Sequence, residues 1–310
     1  MALNYAEVWS PDLLEIMEQE SLTSPFVTTA VKWLSAKTFH FTQMSTSGYK
    51  SHSRLGGWNK GTFAQTDVPF TLTHDRDISF LVDKIDVDET NETASIKNIS
   101  EVFHKTQQIP EMDAYFYSKV ATEAQKLTGY HSSTALSSYT KENVYGKLKA
   151  MLSAGKLRRY VAKGALIAYV NSTIMDLLEQ STDFTRKIEM TQIAEGGIGI
   201  ETRITDIDGV TLIEVIDDER FYDKFDFTDG FAPVASTSHK INVLIASPLT
   251  VKTVPKIASI YYFNPGQHTE GDGYLYQDRS LSDTFVFPNG KDNKIDSIYV
   301  DVDTETYTAE

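Results

Sequence analysis

Within Phe70–Lys126 the apolar residues switch from a period of two to the helical period. Ile78, Phe80 and Val82 alternate as in a half-buried strand. The apolar parity then shifts to Ile85 and Val87, which predicts that the strand bulges or ends near Asp83. After an acidic turn, Ile96, Ile99, Val102 and Phe103 share one helical face. Pro110 cannot sit inside a regular helix without cost, so it restarts or kinks the helix. Glu111 and Asp113 place negative charge at the new N-terminus, and Met112, Phe116, Val120 and Leu127 continue the apolar stripe. The chain must therefore accommodate a strand and a long, broken amphipathic rod in one fold, which points to the α+β class.

The residues just before this unit have a different character. Two short strand-like runs, Thr38 to Met44 and Val68 to Leu72, flank a Gly/Ser/Lys-rich centre, STSGYKSHSRLGGWNKG. Loops of this length are uncommon inside compact domains and usually carry binding or other function. The excursion from Lys37 to His74 holds Lys37, Lys50, Arg54 and Lys60 against Asp67, a net of +3 in a chain of −14. The adjoining Asp75 to Glu92, with Asp83, Asp86, Asp88 and Glu89 among its acids, has a net of −5. A basic projection beside an acidic body suits head-to-tail packing of identical subunits. The alternative is that the two regions face each other within one subunit. Trp9, Trp33 and Trp58 all lie in the N-terminal segment and the excursion, where large aromatics can anchor on a neighbour or pack within the subunit.

Elsewhere the local signals are clear. Ser10-Pro11-Asp12 opens a short amphipathic helix carrying Leu13, Leu14 and Met17. Gly129 to Tyr139 is Ser-rich and marks a boundary; Glu142 to Ala154 is helical; Ala165 to Val170 is a buried strand followed by a helix that Asn171 or Ser172 caps. Ile200–Ile207 and Val210–Ile216 flank Asp208-Gly209, a strong hairpin signal. Ile241 to Ala246 reads as a central strand, with a short helix after Pro248. Ser259–Phe263, Tyr274–Gln277, Thr284–Phe287 and Ile295–Val302 read as strands, and the acidic tail from Asp301 as frayed.

Composition excludes several chemistries. The 310 residues contain no cysteine, which removes disulfides, thiolate metal sites and Cys nucleophiles. The seven histidines form neither HxxxH nor HExxH, and no GxSxG elbow occurs. Gly196-Gly197-Ile198-Gly199 lacks the pattern of a phosphate cradle, and Asp86 to Asn91 lacks the glycine and closing glutamate of a calcium loop. A charge of −14 disfavours nucleic-acid binding, which needs clustered Lys and Arg. No apolar run approaches the roughly 18–20 residues that span a bilayer, and no secretory signal is present. The sequence therefore offers no catalytic, cofactor-binding or metal-ligating constellation. Acidic and aromatic side chains could build a carbohydrate-active site, but nearly any acidic protein offers such pairs. A stalk-forming binding component, the other alternative, would need heptads or β-repeats, and neither is seen.

A set of runs in order carries a resemblance: YAEVWSPDLLE, AKTFHFTQMSTSGY, SRLGGWNKG, DRDISFLVDKIDVDETN, IPEMDAYFYSK, DGVTLIEV, HKINVLIASPLTVKTVPK and YLYQDRSLSDTFVF. With these, nearly the whole chain resembles the major capsid proteins of tailed bacteriophages, which have the Hong Kong 97-like capsid fold. The resemblance implies an N-terminal arm (1–36), an extended β-hairpin loop (37–74), a peripheral domain with a long spine helix (75–131), an axial domain (132–255), and return strands to the peripheral domain with a C-terminal tail (256–310).

It further implies a structural protein rather than an enzyme, with no cofactor. The chain would self-assemble into hexamers and pentamers of an icosahedral head shell around double-stranded DNA. The expected partners are other copies of the chain, a separate scaffolding protein, a portal protein, and packaged DNA contacted without sequence specificity; no membrane is involved. A separate scaffold is expected because the arm-like run begins almost at Met1. The expected location is the virion, after assembly in the host cytoplasm. On this reading the inter-subunit contact candidates are Trp9, Trp33, Lys50, Arg54, Trp58, Lys60, Asp83, Asp86, Asp88 and Glu89.

Overall fold

A computed structural model describes residues 20–29, 37–52, 54, 56–89, 96–162, 164–181, 188–191, 202–289 and 294–308. Trp9, Trp33, the opening helix and the Gly196–Gly199 run lie outside them. The excursion is a two-stranded hairpin, β1 (Thr38–Thr46) with β2 (Phe63–Thr71), paired from Thr38↔Thr71 to Thr46↔Phe63. Both strands are longer than the apolar runs predict, because Ser45 and Thr46 continue the ladder beyond Met44 and pair with Ala64 and Phe63, ahead of Val68.

Next comes β3 (His74–Asp83), with the expected alternation of half-buried and exposed residues. It ends at Asp83, where α1 (Lys84–Glu89) begins. β3 is one edge of a three-stranded sheet, β12-β13-β3, with β12 (Val251–Phe263) and β13 (Gly273–Val286). The short strands expected between 259 and 287 are thus one long hairpin. At its start Gly273 lies so close to β3 that a Cβ there would meet the Val82 carbonyl at 2.3 Å. Gly273→Ala should cost about 1–3 kcal/mol by forcing the two backbones apart, measurable as a lower urea midpoint at unchanged slope.

The broken rod is continuous in backbone terms. α2 (Ile96–Phe103) passes into a π-helical segment, His104–Gln108, and then α3 (Ile109–Gln125), with Phe103, Gln108 and Ile109 all in helical conformation. Pro110 has no N–H to donate one turn back, and the wider turn immediately before it absorbs that missing bond, so the helix neither stops nor restarts. The rod spans roughly 45 Å at 1.5 Å per residue. Its buried face is Asp113, Phe116, Tyr117, Val120, Ala121 and Ala124, while Met112, expected in the stripe, is exposed.

The second sheet has seven strands in the order β4-β14-β11-β5-β8-β7-β6. They are β4 (His131–Ser133), β5 (Ile167–Asn171), β6 (Ile188–Thr191), β7 (Thr202–Ile207), β8 (Val210–Val215), β11 (His239–Ala246) and β14 (Ile298–Thr306). A two-residue pair, β9 (Phe225–Asp226) with β10 (Ala232–Pro233), lies apart. Asp208 and Gly209 both have positive φ, the conformation that a two-residue hairpin turn demands. α4 (Val144–Leu152), α5 (Arg158–Val161) and α6 (Ser172–Glu179) complete the helices, and the Asn171 side chain caps α6 by accepting from Thr173 N at 3.0 Å.

β11 is buried on both faces, which explains its unbroken apolar run. Ile241, Leu244 and Ala246 join the core beneath α3, with Phe26, Phe116, Tyr117 and Tyr169. Val243 and Ile245 join the opposite core, with Leu148, Ile174 and Leu178 of α4 and α6. A third cluster, Phe39, Leu72, Val254, Leu281, Phe285 and Phe287, lies under the hairpin base. Two local expectations fail. Pro248–Thr250 is a turn, closed by Val251 N to Ser247 O at 2.9 Å, instead of a helix. The supposedly frayed tail is β14, hydrogen-bonded between β4 and β11, with Asp301 and Asp303 buried.

Candidate assembly surfaces

The hairpin is fixed at its base and bare at its tip. At the base, Phe39 and Phe70 pack at 5.6 Å and meet Phe285 and Phe287 edge-on at 5.1–6.3 Å. The two-residue link to β3 is held by Asp283, a buried carboxylate that accepts from Thr73 N at 2.9 Å, Thr73 Oγ1 at 2.8 Å and Tyr115 OH at 2.8 Å. Lys119 Nζ lies 3.5 Å away. Burial first, and then the Asp283 charge, push the Tyr115 hydroxyl well above its ordinary range, so it remains a donor. Beside it His74 stacks on Tyr115 at 3.9 Å, and Arg76 grips Glu111 through Nε at 2.6 Å and Nη2 at 3.3 Å. Projection, spine and β13 therefore meet at one joint.

The root of the projection also has an exposed clasp. Asp75 accepts two bonds from Arg279, at 3.1 and 3.0 Å, and one from Lys37 at 3.0 Å. The Arg279 guanidinium first, then the Lys37 ammonium, lower the Asp75 carboxyl to about 2. Because the folded value is depressed, this contribution is complete above the unfolded value near 4 and is lost as the pH falls toward 2. Asp75→Asn is expected to flatten the acid limb of an unfolding-midpoint profile between about pH 4 and pH 2 and to leave the neutral limb parallel to wild type.

Lys50, Arg54, Trp58 and Lys60 gather at the tip. There Asn59 Nδ2 donates to Ser51 O at 2.8 Å, Thr62 N donates to Ser47 Oγ at 2.9 Å, and Lys50 Nζ donates to Lys60 O at 3.2 Å. His52 faces Trp58 at 6.4 Å. These contacts shape the tip without covering it: Trp58 is 94% exposed, and Tyr49 and Phe63 are also exposed. None of the cations Lys50, Arg54 and Lys60 pairs with a carboxylate among the described residues. Among the described residues, Lys37 is the one cation of the excursion's four that bonds an acid of its own chain. Asp83 and Asp86 lie at the far end of β3, roughly 30 Å along the strand from His74 at about 3.3 Å per residue. Asp83 Oδ1 accepts from Ile85 N at 2.8 Å and so caps α1, and Asp88 and Glu89 follow in that helix. The ten candidate residues thus fall into a basic, aromatic tip, an acidic helix start, and two tryptophans outside the described residues.

Pattern reading missed a second joint, where residues 20–28 dock. Asp113, fully buried on the spine, accepts from Ser21 Oγ at 3.0 Å, Leu22 N at 3.1 Å, Thr23 Oγ1 at 2.7 Å and Arg220 Nη1 at 3.2 Å. Phe26 packs on Phe116 at 4.7 Å, and Thr28 N donates to Thr253 O at 2.9 Å. The sequence signal was an acid at the start of an i, i+3, i+4, i+7 apolar stripe.

Among the described residues no cluster of His, Asp or Glu could hold a metal ion, and no helix is long and apolar enough to cross a membrane. No family model and no curated protein matches the sequence. Solved structures do match. A chain of the bacteriophage PhiM1 mature capsid superposes with a TM-score of 0.63 at 12% identity, covering 97% of this chain and 92% of that one. The capsid of cyanophage P-SCSP1u gives 0.60 at 10% identity, covering 98% and 94%. The capsid of Ralstonia phage GP4 gives 0.59 at 9% identity, covering 100% and 98%. Over its whole length this chain has the α+β fold of phage capsid subunits.

Proposed function

We propose that this chain is the major capsid protein of a tailed phage, the repeating wall unit of an icosahedral head. The observation that carries the proposal is the end-to-end match to chains of phage capsids. The unpaired basic and aromatic tip supports it, because such a tip suits a surface completed by a neighbour. In this reading the hairpin is the extended loop, Ile96–Gln125 is the spine, and the three-stranded sheet with the spine is the peripheral unit. The seven-stranded sheet with α4–α6 is the axial unit, and its C-terminal strand β14 belongs to it as well.

The tip cations and Trp58 contact a neighbouring copy, with the acidic start of α1 (Asp83, Asp86) as the complementary patch. Heterologous contacts of this kind close into rings when the rotation fits, and rings close into shells. A scaffolding protein, a portal and packaged DNA complete the proposed partners, and assembly takes place in the host cytoplasm. Electron microscopy of the expressed chain, with and without its scaffold, tests the reading. Rings of about five or six subunits, or closed shells, are expected; monomers alone under every condition would overturn it.

A further inference from the structure

One cavity and one charged corner remain outside these contacts. The cavity, of about 420 Å³, opens beside the end of β14 and is lined by Leu136, Tyr139, Thr173, Leu177, Asp303 and Glu305. Leu136 and Leu177 are apolar walls packed on the core. Asp303 is buried to 7% exposure. Its Oδ1 accepts from Leu136 N and Glu305 N, both at 3.3 Å, and its Oδ2 has no donor among the described residues. Neither Asp303 nor Glu305 pairs with a Lys or Arg among the described residues. An apolar slot ending in two carboxylates fits a long cationic side chain, with the alkyl stem on the leucines and the charge at Asp303 and Glu305.

The corner is at α5. Residues 141–163 carry seven Lys and Arg against the single Glu142, in a chain of −14. Lys147 and Lys149 are engaged within the subunit, by Ser138 and by Asp208. Lys156 and Arg158 are exposed, and among the described residues Arg158 bonds Ser153 Oγ alone, at 2.7 and 3.1 Å. α5 is anchored at the opposite end of β14, where Tyr160 OH donates to Asp296 at 2.6 Å and Arg159 lies 3.7 Å from it. From Asp296 to Asp303 the chain runs about 23 Å at about 3.3 Å per residue, too far for the corner to fill its own cavity.

We infer that the Lys156–Arg158 corner of one copy inserts into the Asp303/Glu305 cavity of the next, a head-to-tail contact around the ring. The inference rests on the proposed capsid function and names the partner surfaces within it. Two complementary patches at opposite ends of one strand make a heterologous interface, the kind that closes into rings.

The natural chain has no cysteine, so introduced thiols report without background. Particles of an S137C/R159C chain, which keeps Lys156 and Arg158, treated with a short bis-maleimide, should give a ladder of covalent oligomers on a denaturing gel. K156E/R158E should lower the yield of rings roughly tenfold or more, since like charges then face each other, and adding E305K in the same chain should restore it. Intact particles without the ladder, or wild-type ring yield from K156E/R158E, would overturn the inference and leave the capsid reading standing. Particles of K156E/R158E that form normally but retain less DNA would also overturn it, by assigning the corner to nucleic acid. Failure of the unaltered chain to form rings at all would count against the capsid reading itself.

Discussion

Reversing the tip charges, Lys50→Glu, Arg54→Glu and Lys60→Glu together, is expected to leave the subunit folded and to abolish its assembly. The three cations are exposed and meet no carboxylate of their own subunit among the described residues, so folding stability should move by less than about 0.5 kcal/mol per site. Each reversal removes two units of charge, taking the chain from −14 to −20. A tip that now repels an acidic neighbour costs several kcal/mol per contact, and every subunit of a ring repeats that cost. Sedimentation should show monomers where the natural chain shows rings, with superimposable melting curves. Replacement of the same residues by Gln should fall between the two. High salt should weaken assembly of the natural chain, because the Debye length at 1 M is only about 3 Å. Unchanged assembly of the reversed chain would remove the electrostatic role of the tip.

Asp113→Ala should produce the largest loss of subunit stability. Arg220 is buried almost completely, and removing its partner leaves a guanidinium in the core beneath the spine with less compensation. Breaking a buried pair from one side typically costs about 3–5 kcal/mol. The same change removes the acceptor of Ser21 Oγ, the Leu22 N–H and Thr23 Oγ1, so residues 20–28 are left with the Phe26 packing as their hold on the helix. Denaturant unfolding should register the stability loss, and proteolysis should cut first near Ser21. Arg220→Met on the Asp113→Ala background should recover part of the loss, because the buried guanidinium, which keeps only part of its compensation through Asp217, is then gone. A variant as stable as the natural chain would show that Asp113 is not the keystone of this joint.

Features set by neighbouring residues were legible from sequence. The alternation of β3 to its end at Asp83, the Asp208-Gly209 turn, the Asn171 cap and the apolar run of β11 each follow from local chemistry. What could not be read depends on distant partners. Asp301 resembles a tail residue until Tyr139, Thr134 and Asn242 are seen to donate to it at 2.6–2.8 Å. Burial first, and then the Asp301 charge, hold the Tyr139 hydroxyl far above its usual range, so that donor persists at all ordinary pH. Pro110 signals a break, but whether the backbone stops or widens into a π turn depends on the sheet beside it. There Tyr276 OH lies 2.9 Å from His104 Nε2, and Gln108 donates to Asp278 at 3.2 Å. The basic character of the tip was plain, whereas the slot at Asp303 requires β14, α6 and the 136–139 turn to be brought together.

The position of β14 also sets a timetable. Among the described residues β4 pairs with β14 alone, and one edge of β11 stays open until 298–306 have left the ribosome, long after 131–133. Pairings so distant in sequence close slowly. A nascent chain short of β14 lacks Asp303 and Glu305, and it lacks Asp301 as the acceptor for Tyr139 and Asn242. On the proposed ring contact, a subunit gains its acceptor surface only once synthesis has passed Glu305, so chains cut short before β14 are expected to be left out of rings.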